Sequence, residues 1–141
     1  MAEMRSQIRD NLIALISVAI ALSALGYNSW RNERTEKNRN IRVAGIDMLR
    51  EIGSLQQIIF YAHYAGGDRR GDPRMGWADV LTINDLAALM PADVTHDAEK
   101  LRATWEADAE GLVEDDEAFA RIDGAIDTLR QTTLAELRQL R

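Results

Sequence analysis

The side chains best suited to acid–base or metal chemistry in this sequence are its two histidines, because imidazole titrates near neutral pH and binds metal ions. His63 lies between Tyr61 and Tyr64, and His96 immediately precedes Asp97. A metal site built on helices needs His and carboxylate residues at i,i+3 or i,i+4 spacing on more than one helix. Neither the H-x-x-x-H nor the E-x-x-H pattern occurs. We therefore expect His63 to bond a carboxylate or the adjacent loop at the edge of a helical bundle rather than to hold a metal.

A glycine-rich loop, Gly66–Gly76, is the next candidate for chemistry. Its Asp68 and Asp72 suggest a calcium site, but the regular oxygen ligands and closing Glu of an EF-hand are missing, and no Gly-Lys-Ser/Thr follows to bind phosphate. No serine stands in a nucleophile-elbow motif. The sequence has no cysteine, which excludes thiolate metal sites and disulfides. We predict no cofactor, no metal and no enzymatic activity.

Charge is distributed unevenly along the 141 residues. Residues 1–42 carry seven Lys/Arg against four Asp/Glu, a net +3, whereas residues 43–141 carry ten against nineteen, a net −9. Phosphate groups repel an acidic body, so we expect no nucleic-acid partner. The acidic band from Asp93 to Asp127 is interpreted as a solvated surface or, alternatively, as a face that docks a basic partner.

An uncharged run of twenty residues, from Asn11 to Trp30, is the strongest structural signal in the sequence. At ~1.5 Å per residue it forms a helix of roughly 30 Å, which matches the hydrocarbon thickness of a bilayer. Tyr27 and Trp30 stand at its C-terminal end, where amphipathic rings prefer the headgroup level. The predicted segments are a short N-terminal tail at 1–11, a transmembrane helix at 12–30, a polar juxtamembrane helix at 31–42 and an acidic helical bundle at 43–141.

Two alternatives compete with a retained membrane helix. Arg5 and Arg9, followed by the small residues Ala19 and Ala21, resemble a cleaved signal peptide, but the apolar run continues past that point to Tyr27. A buried core helix is disfavoured, because the rest of the chain is too small to surround a helix that is apolar on all sides.

Positive charges flank the predicted span unequally, with two arginines before it and five Lys/Arg residues after it. Because positive flanks stay in the cytoplasm, we expect the N-terminus outside the inner cell membrane and the C-terminal body in the cytoplasm. The two preceding arginines leave the opposite orientation open. The expected membrane-interface anchors are Tyr27, Trp30, Arg31, Arg34, Lys37, Arg39 and Arg42.

Small residues recur along the span at three- and four-residue spacing, and the candidate packing seam consists of Ala14, Ser17, Ala21, Ala24 and Asn28. Small side chains let a second helix approach closely, and an Asn can hydrogen-bond across the contact. Since alanine is common in membrane helices, chance composition is the alternative. If the seam packs, its partner is a second copy or a larger membrane protein.

The body is predicted to contain helices at about 41–64, 77–90, 96–111 and 116–141, with an exposed loop at 65–76. Thr95 is the expected N-cap of the third helix. The first of these helices should bury a stripe at four- and three-residue spacing, made of Ile41, Gly45, Met48, Ile52, Leu55, Ile59 and Ala62. Apolar residues off this stripe indicate a central helix or a docking face, for which the candidates are Ile46, Leu49, Phe60 and Tyr61.

The sequence therefore predicts an all-α protein in which a single-pass N-terminal transmembrane helix continues into a small antiparallel helical bundle. For function we expect a non-enzymatic accessory, scaffold or assembly subunit of a larger membrane complex, or a homo-oligomer. The alternative is a membrane-tethered sensor that transmits ligand or partner binding through the continuous helix. The expected partners are the lipid bilayer and a membrane protein complex or a second copy.

Overall fold

The computed structural model describes residues 2–65 and 69–140, with side chains from residue 12 onward. The described residues form no β-strand and four α-helices, which are α1 (Ala2–Tyr64), α2 (Pro73–Ala87), α3 (Ala92–Asp108) and α4 (Asp116–Gln139). The prediction of an all-α chain is confirmed. Met1, Arg141 and Asp68, the last of which belonged to the calcium alternative, lie outside the described residues.

The chain divides into two compact units, Met1–Lys37 and Asn38–Arg141. In the first unit, every described side chain from Leu12 to Lys37 is exposed. Within the described part of the chain, α1 contains the one stretch that is long and apolar enough to cross a membrane, and none of that stretch is buried. The predicted segments 12–30 and 31–42 both lie in α1.

The second unit has a hydrophobic core to which all four helices contribute. Trp105 of α3 is fully buried at its centre. The stripe predicted on the C-terminal part of α1 is buried at every position, from Ile41 to Ala62. On α4 the core-facing residues follow the same helical period and are Ala118, Ile122, Ile126, Leu129 and Thr133. These faces were predictable because helical periodicity alone places apolar residues on one side.

Contacts between α1 and α4 tie the second unit together along much of their length. Gly45 lies so close to α4 that an added Cβ would be 2.8 Å from Leu137 Cδ2. Thr133 Oγ1 lies 3.4 Å from Met48 Sδ and donates to the Leu129 carbonyl at 2.8 Å. Further along the two helices, Gln56 Nε2 donates to Asp123 Oδ1 at 3.4 Å and Arg130 donates to Gln56 Oε1.

The second helix runs from Pro73 to Ala87 rather than over the predicted 77–90. Its start is set by Asp72, whose Oδ1 accepts a hydrogen bond from the Arg74 N–H at 2.9 Å. Pro73 occupies the first turn, where a missing N–H costs nothing and the fixed φ favours the helix. The predicted loop 65–76 is therefore shorter, and it includes a 3₁₀ turn at Arg69–Gly71.

The third helix runs from Ala92 to Asp108 rather than over 96–111, so Thr95 lies inside it and is not its N-cap. Thr95 Oγ1 instead donates to the Ala87 carbonyl at 2.8 Å and so joins α3 to the end of α2. A 3₁₀ turn at Ala109–Gly111 follows α3. The start of α4 is capped by Asp115, whose Oδ1 accepts from the Glu117 and Ala118 N–H groups at 2.8 and 3.2 Å.

Candidate functional site

The candidate packing seam lies on one side of α1, because its residues are spaced by three and four positions. All five of them, Ala14, Ser17, Ala21, Ala24 and Asn28, are exposed. Ser17 Oγ donates to the Ile13 carbonyl at 2.8 Å, so its hydroxyl is satisfied within the helix. Helix packing through the seam stays a prediction.

The expected membrane-interface anchors differ in their surroundings. The rings of Tyr27 and Trp30 have centroids 6.1 Å apart, and the Arg34 guanidinium lies 5.3 Å from the Trp30 centroid. Such a cation–π contact holds an arginine beside an aromatic ring. The remaining cationic anchors of the first unit, Arg31 and Lys37, are exposed, as is Arg39 of the second unit.

Arg42, unlike the other anchors, has a hydrogen-bond partner far away in the sequence. It belongs to the second unit, and its Nη2 donates to the Leu140 carbonyl at 3.2 Å. The guanidinium therefore links the C-terminal end of α4 to α1, and its role as a membrane-interface anchor stays a prediction. Spacing along one helix could not reveal this contact, because Leu140 is 98 residues away in sequence.

The four candidate docking residues are not equally accessible. Ile46 and Phe60 are exposed, whereas Leu49 is half-buried and packs against the core. Tyr61 is also half-buried. A docking role for these residues stays a prediction, but the structure groups two of them with aromatic side chains that were not in the candidate set.

Phe60 and Tyr61 belong to a cluster at the C-terminal end of α1, which we call the aromatic patch and define as Phe60, Tyr61, Tyr64 and Phe119. The ring centroids of Phe60 and Tyr64 are 5.0 Å apart, and those of Tyr64 and Phe119 are 5.6 Å apart. The patch holds both phenylalanines of the chain and two of its three tyrosines. Phe60 is 54% exposed and Tyr64 is 64% exposed, so the patch presents aromatic surface to solvent.

His63 lies beneath this patch and joins three segments. Its ring stacks on Phe119 with centroids 4.3 Å apart, and its Nδ1 lies 3.0 Å from the Leu112 carbonyl oxygen. Its Nε2 lies 3.3 Å from Asp116 Oδ1. The expectation that His63 bonds a carboxylate at the bundle edge agrees with its contact to Asp116. Its backbone partner, Leu112, lies in the turn between α3 and α4 and not in the adjacent loop 65–76.

Two turns of opposite charge border the aromatic patch. On one side, the Arg70 guanidinium lies 4.1 Å from the Tyr61 ring centroid, and its Nη1 donates to the Tyr61 hydroxyl at 3.2 Å. Gly71 lets this turn reach α1, since an added Cβ would be 2.3 Å from the Ala62 backbone nitrogen. On the other side lies the turn between α3 and α4, which contains Leu112 and the exposed acidic residues Glu110 and Glu114, and the exposed Glu117 follows in the first turn of α4.

Ion pairs elsewhere in the second unit are structural. The Arg121 guanidinium donates to the two carboxylate oxygens of Asp108 at 2.8 and 3.0 Å, which joins α3 to α4. These hydrogen bonds hold the pKa of Asp108 below its ordinary value of 3.8. Among residues 2–65 and 69–140, no three His or carboxylate side chains converge as a metal site would require.

A groove of about 400 Å³ lies between α3 and α4 and is lined in part by Asp97, Lys100, Thr104 and Thr128. Asp97 accepts from Thr132 Oγ1 at 2.7 Å and lies 3.5 Å from Lys100 Nζ. The acidic lining residue is therefore already engaged in a hydrogen bond and an ion pair within the bundle.

No protein-family model matches this sequence, and comparisons with curated proteins and with solved structures likewise give no match. The aromatic patch, its flanking turns and the apolar stretch of α1 are thus the features from which a function is inferred. The patch was missed at the sequence level because it combines residues of α1 and α4, which are far apart in the sequence. The signal that could have suggested it is the concentration of aromatic residues from Phe60 to Tyr64.

Proposed function

We propose that this protein is a single-pass membrane protein whose helical body acts as a non-enzymatic accessory, scaffold or assembly subunit of a larger membrane complex or of a homo-oligomer. The observation that carries the proposal is the exposed apolar surface of α1 from Leu12 to Trp30. Apolar surface left in water costs about 25 cal/mol per Å². A helix of roughly 30 Å inserted in a bilayer removes that cost.

The residues after the apolar stretch support an orientation. Tyr27 and Trp30 are exposed at its end, and Arg34 stacks on Trp30. Cationic residues beyond a span favour its cytoplasmic side, so the proposed topology has the N-terminus outside the inner membrane and the body inside the cell.

For the body we infer an antiparallel bundle. Its support is that residue numbers rise along α1 as they fall along α4 in contacting pairs, which are Met48 with Thr133, Gln56 with Asp123 and His63 with Phe119. The pairs that join α3 and α4 run in the same opposed sense, with Asp97 bonded to Thr132 and Asp108 to Arg121. An arrangement of this kind is expected where short connections join successive helices.

A binding role is favoured over catalysis by how the reactive side chains are used. His63 is occupied in packing and hydrogen bonding between α1 and the turn before α4. The exposed rings of Phe60 and Tyr64 offer the kind of surface that protein partners cover, because aromatic residues are enriched at interface cores.

Membrane insertion can be tested by alkaline extraction of cell membranes that contain the full chain. The wild-type protein should stay in the pellet, and Leu22→Arg should move part of it to the supernatant, since an Arg at the centre of a span costs about 2.5–3.5 kcal/mol on insertion. Leu81→Arg, at an exposed leucine of α2, is the matched control and should leave the pellet fraction unchanged. Complete release of the wild-type chain would overturn the proposal.

The orientation and the accessory role need separate measurements. Alkaline phosphatase fused after Arg141 should be inactive and a fluorescent protein at the same point should fluoresce, and the reverse result would contradict the proposed orientation. Native mass measurement after purification in mild detergent should show a stoichiometric second component, either another membrane protein or a second copy. A clean monomer would contradict the accessory role.

A further inference from the structure

We propose that the aromatic patch and its two flanking turns form a self-association surface for a second copy of this chain. The inference deepens the proposed function by naming a partner and the surface that binds it, and it rests on that function. Two features carry the proposal, which are the exposure of the aromatic patch and the opposite charges on its two sides. A partner that binds there must cover the aromatic rings and complement both charged turns.

Exposed aromatic surface is the first of these features. Phe60, Tyr64 and Phe119 make a continuous row of ring contacts, and Phe60 and Tyr64 are more than half exposed. Apolar residues scattered singly on a surface are common, but contiguous apolar patches bordered by polar residues mark interaction sites. Large aromatic side chains also carry a disproportionate share of binding energy in such interfaces.

The first flank of the patch is basic. Residues 43–141 have a net charge of −9, yet three of their ten Lys/Arg residues lie at positions 69–74. Asp72 is the one acidic residue among these six positions, which therefore carry a net +2. Arg70 is positioned by its contact with Tyr61, and the side chains of Arg69 and Arg74 are exposed. Positive charge is therefore concentrated beside the aromatic row.

The second flank is acidic. Glu110 and Glu114 are exposed in the turn that precedes α4. Glu117 is exposed in the first turn of α4, where it pairs with Arg121 at 3.6 Å. This turn is held against the end of α1, because His63 contacts both the Leu112 carbonyl and Asp116. The aromatic patch thus lies between a basic turn and an acidic turn on the same unit.

The opposite charges of the two turns favour one kind of binding partner, a second copy of this chain. An anionic lipid surface or a uniformly acidic protein would be attracted by the arginines and repelled by the acidic turn, and a uniformly basic protein would meet the opposite conflict. In a dimer with a two-fold axis, the acidic turn of one copy faces the basic turn of the other copy. The same pairing forms a second time at the opposite end of the interface. The two aromatic rows then meet in the middle, away from water.

Charge reversal in the full chain, reconstituted in neutral phosphatidylcholine nanodiscs or kept in mild detergent, tests the pairing. The double variants R69E/R74E and E110R/E114R should each weaken the dimer by about tenfold or more, because each places like charges at both ends of the interface. Mixing the two variants should restore a mixed dimer, since the glutamates introduced in one variant then face the arginines introduced in the other. Sedimentation and native mass measurement give the populations.

Matched controls separate the pairing from net charge and from folding. R102E/R138E and E99R/E106R make the same charge changes at exposed positions of α3 and α4 and should leave the dimer intact. Because the chain has no cysteine, Ala65→Cys beside Tyr64 can be crosslinked with a short bis-maleimide, whereas Thr128→Cys on α4 should stay uncrosslinked. Circular dichroism of each variant verifies that it is folded.

The proposal is overturned if the wild-type chain is monomeric at micromolar concentration, if the reversals leave its dimer unchanged, or if the mixed variants fail to associate. A dimer that persists through these reversals but is lost on substitution in the packing seam would overturn the proposed surface while leaving a scaffold role in place. Release of the chain from membranes by alkaline extraction would instead contradict the proposed function, whether or not the body dimerises.

Discussion

Gly76 of α2 lies directly against the ring of Trp105, so that a Cβ added to the glycine would be 2.3 Å from the indole Cζ2. The Trp105 side chain is fully buried, so a shift of its ring would disturb the close-packed core around it. Gly76→Ala should therefore destabilise the body by about 1–3 kcal/mol, the usual cost of overpacking a core. Thermal unfolding of the full chain in detergent, followed by near-ultraviolet circular dichroism, measures the change.

Gly124 provides the matched control for this substitution. It is also a helical glycine, but an added Cβ would have no neighbour within 4 Å. Gly124→Ala should stabilise the chain by about 0.5–1 kcal/mol, because alanine loses less conformational freedom in a helix than glycine does. Equal melting temperatures for the two variants would show that the contact between Gly76 and Trp105 does not limit the packing of α2.

Gly76 and Gly124 are both helical glycines, and only their tertiary surroundings distinguish them. This difference separates what a sequence can predict from what it cannot. The buried stripes of α1 and α4 follow from helical periodicity, so positions such as Met48 and Ile126 were predictable to single residues. Contacts between helices do not follow from periodicity. Thr95 has the chemistry of an N-cap, yet its hydroxyl bonds the Ala87 carbonyl because α2 ends beside it. The start of α3 therefore depended on tertiary structure.

The ion pair between Asp108 and Arg121 makes a specific prediction for the dependence of stability on pH. Hydrogen bonding from Arg121 lowers the pKa of Asp108 in the folded chain below the ordinary 3.8. A carboxyl group whose pKa is lower in the folded state stabilises that state fully above the unfolded pKa, and the stabilisation is lost as pH falls through the folded pKa. The pair should thus stabilise the body at neutral pH and lose its effect below about pH 4.

Melting temperatures of the wild type, Asp108→Asn and Arg121→Gln between pH 7 and pH 3 test this dependence. Both variants should melt at a lower temperature than the wild type at pH 7, and the difference should shrink as the pH falls below about 4. Arg50→Gln, which removes an exposed i,i+3 pair with Asp47, serves as a control with a smaller effect. A constant difference across the whole pH range would contradict the assigned role of Asp108.

Removing the imidazole should change the free energy of unfolding differently at the two histidines. His63 is packed on Phe119 and bonded to the Leu112 carbonyl, whereas His96 is exposed. His63→Ala should cost about 1–3 kcal/mol, because it leaves a carbonyl without its partner and a ring without its stack. His96→Ala should stay within about 0.5 kcal/mol of the wild type. Chemical denaturation measures both, and equal stabilities would argue against a structural role for His63.

The aromatic patch marks the limit of prediction for the candidate site. Phe60 and Tyr61 were identifiable as apolar residues off the buried stripe, but Phe119 is more than fifty positions away in the sequence. Only the packing of α4 on α1 brings its ring to 5.6 Å from Tyr64. The opposite charges of the flanking turns could be read from the sequence, whereas their positions on either side of one patch could not.

The candidate packing seam can be tested with two variants of identical composition. Ser17→Leu combined with Ala21→Leu fills the seam, while Ala19→Leu combined with Ser23→Leu adds the same bulk to another side of the helix. Close approach of two membrane helices depends on small residues at the contact, so only the first variant should reduce association. Energy transfer between donor- and acceptor-labelled chains in lipid vesicles gives the fraction associated.

The expected result for the seam variant is a loss of energy transfer with unchanged membrane retention. The control variant should match the wild type, because the proposed insertion exposes both added leucines to lipid on a side of the helix that is outside the seam. Similar energy transfer in both variants would mean that the small residues reflect the ordinary composition of a membrane helix. Reduced transfer in both would mean that added bulk anywhere on the span disturbs association, which would also contradict a contact specific to the side that contains Ser17.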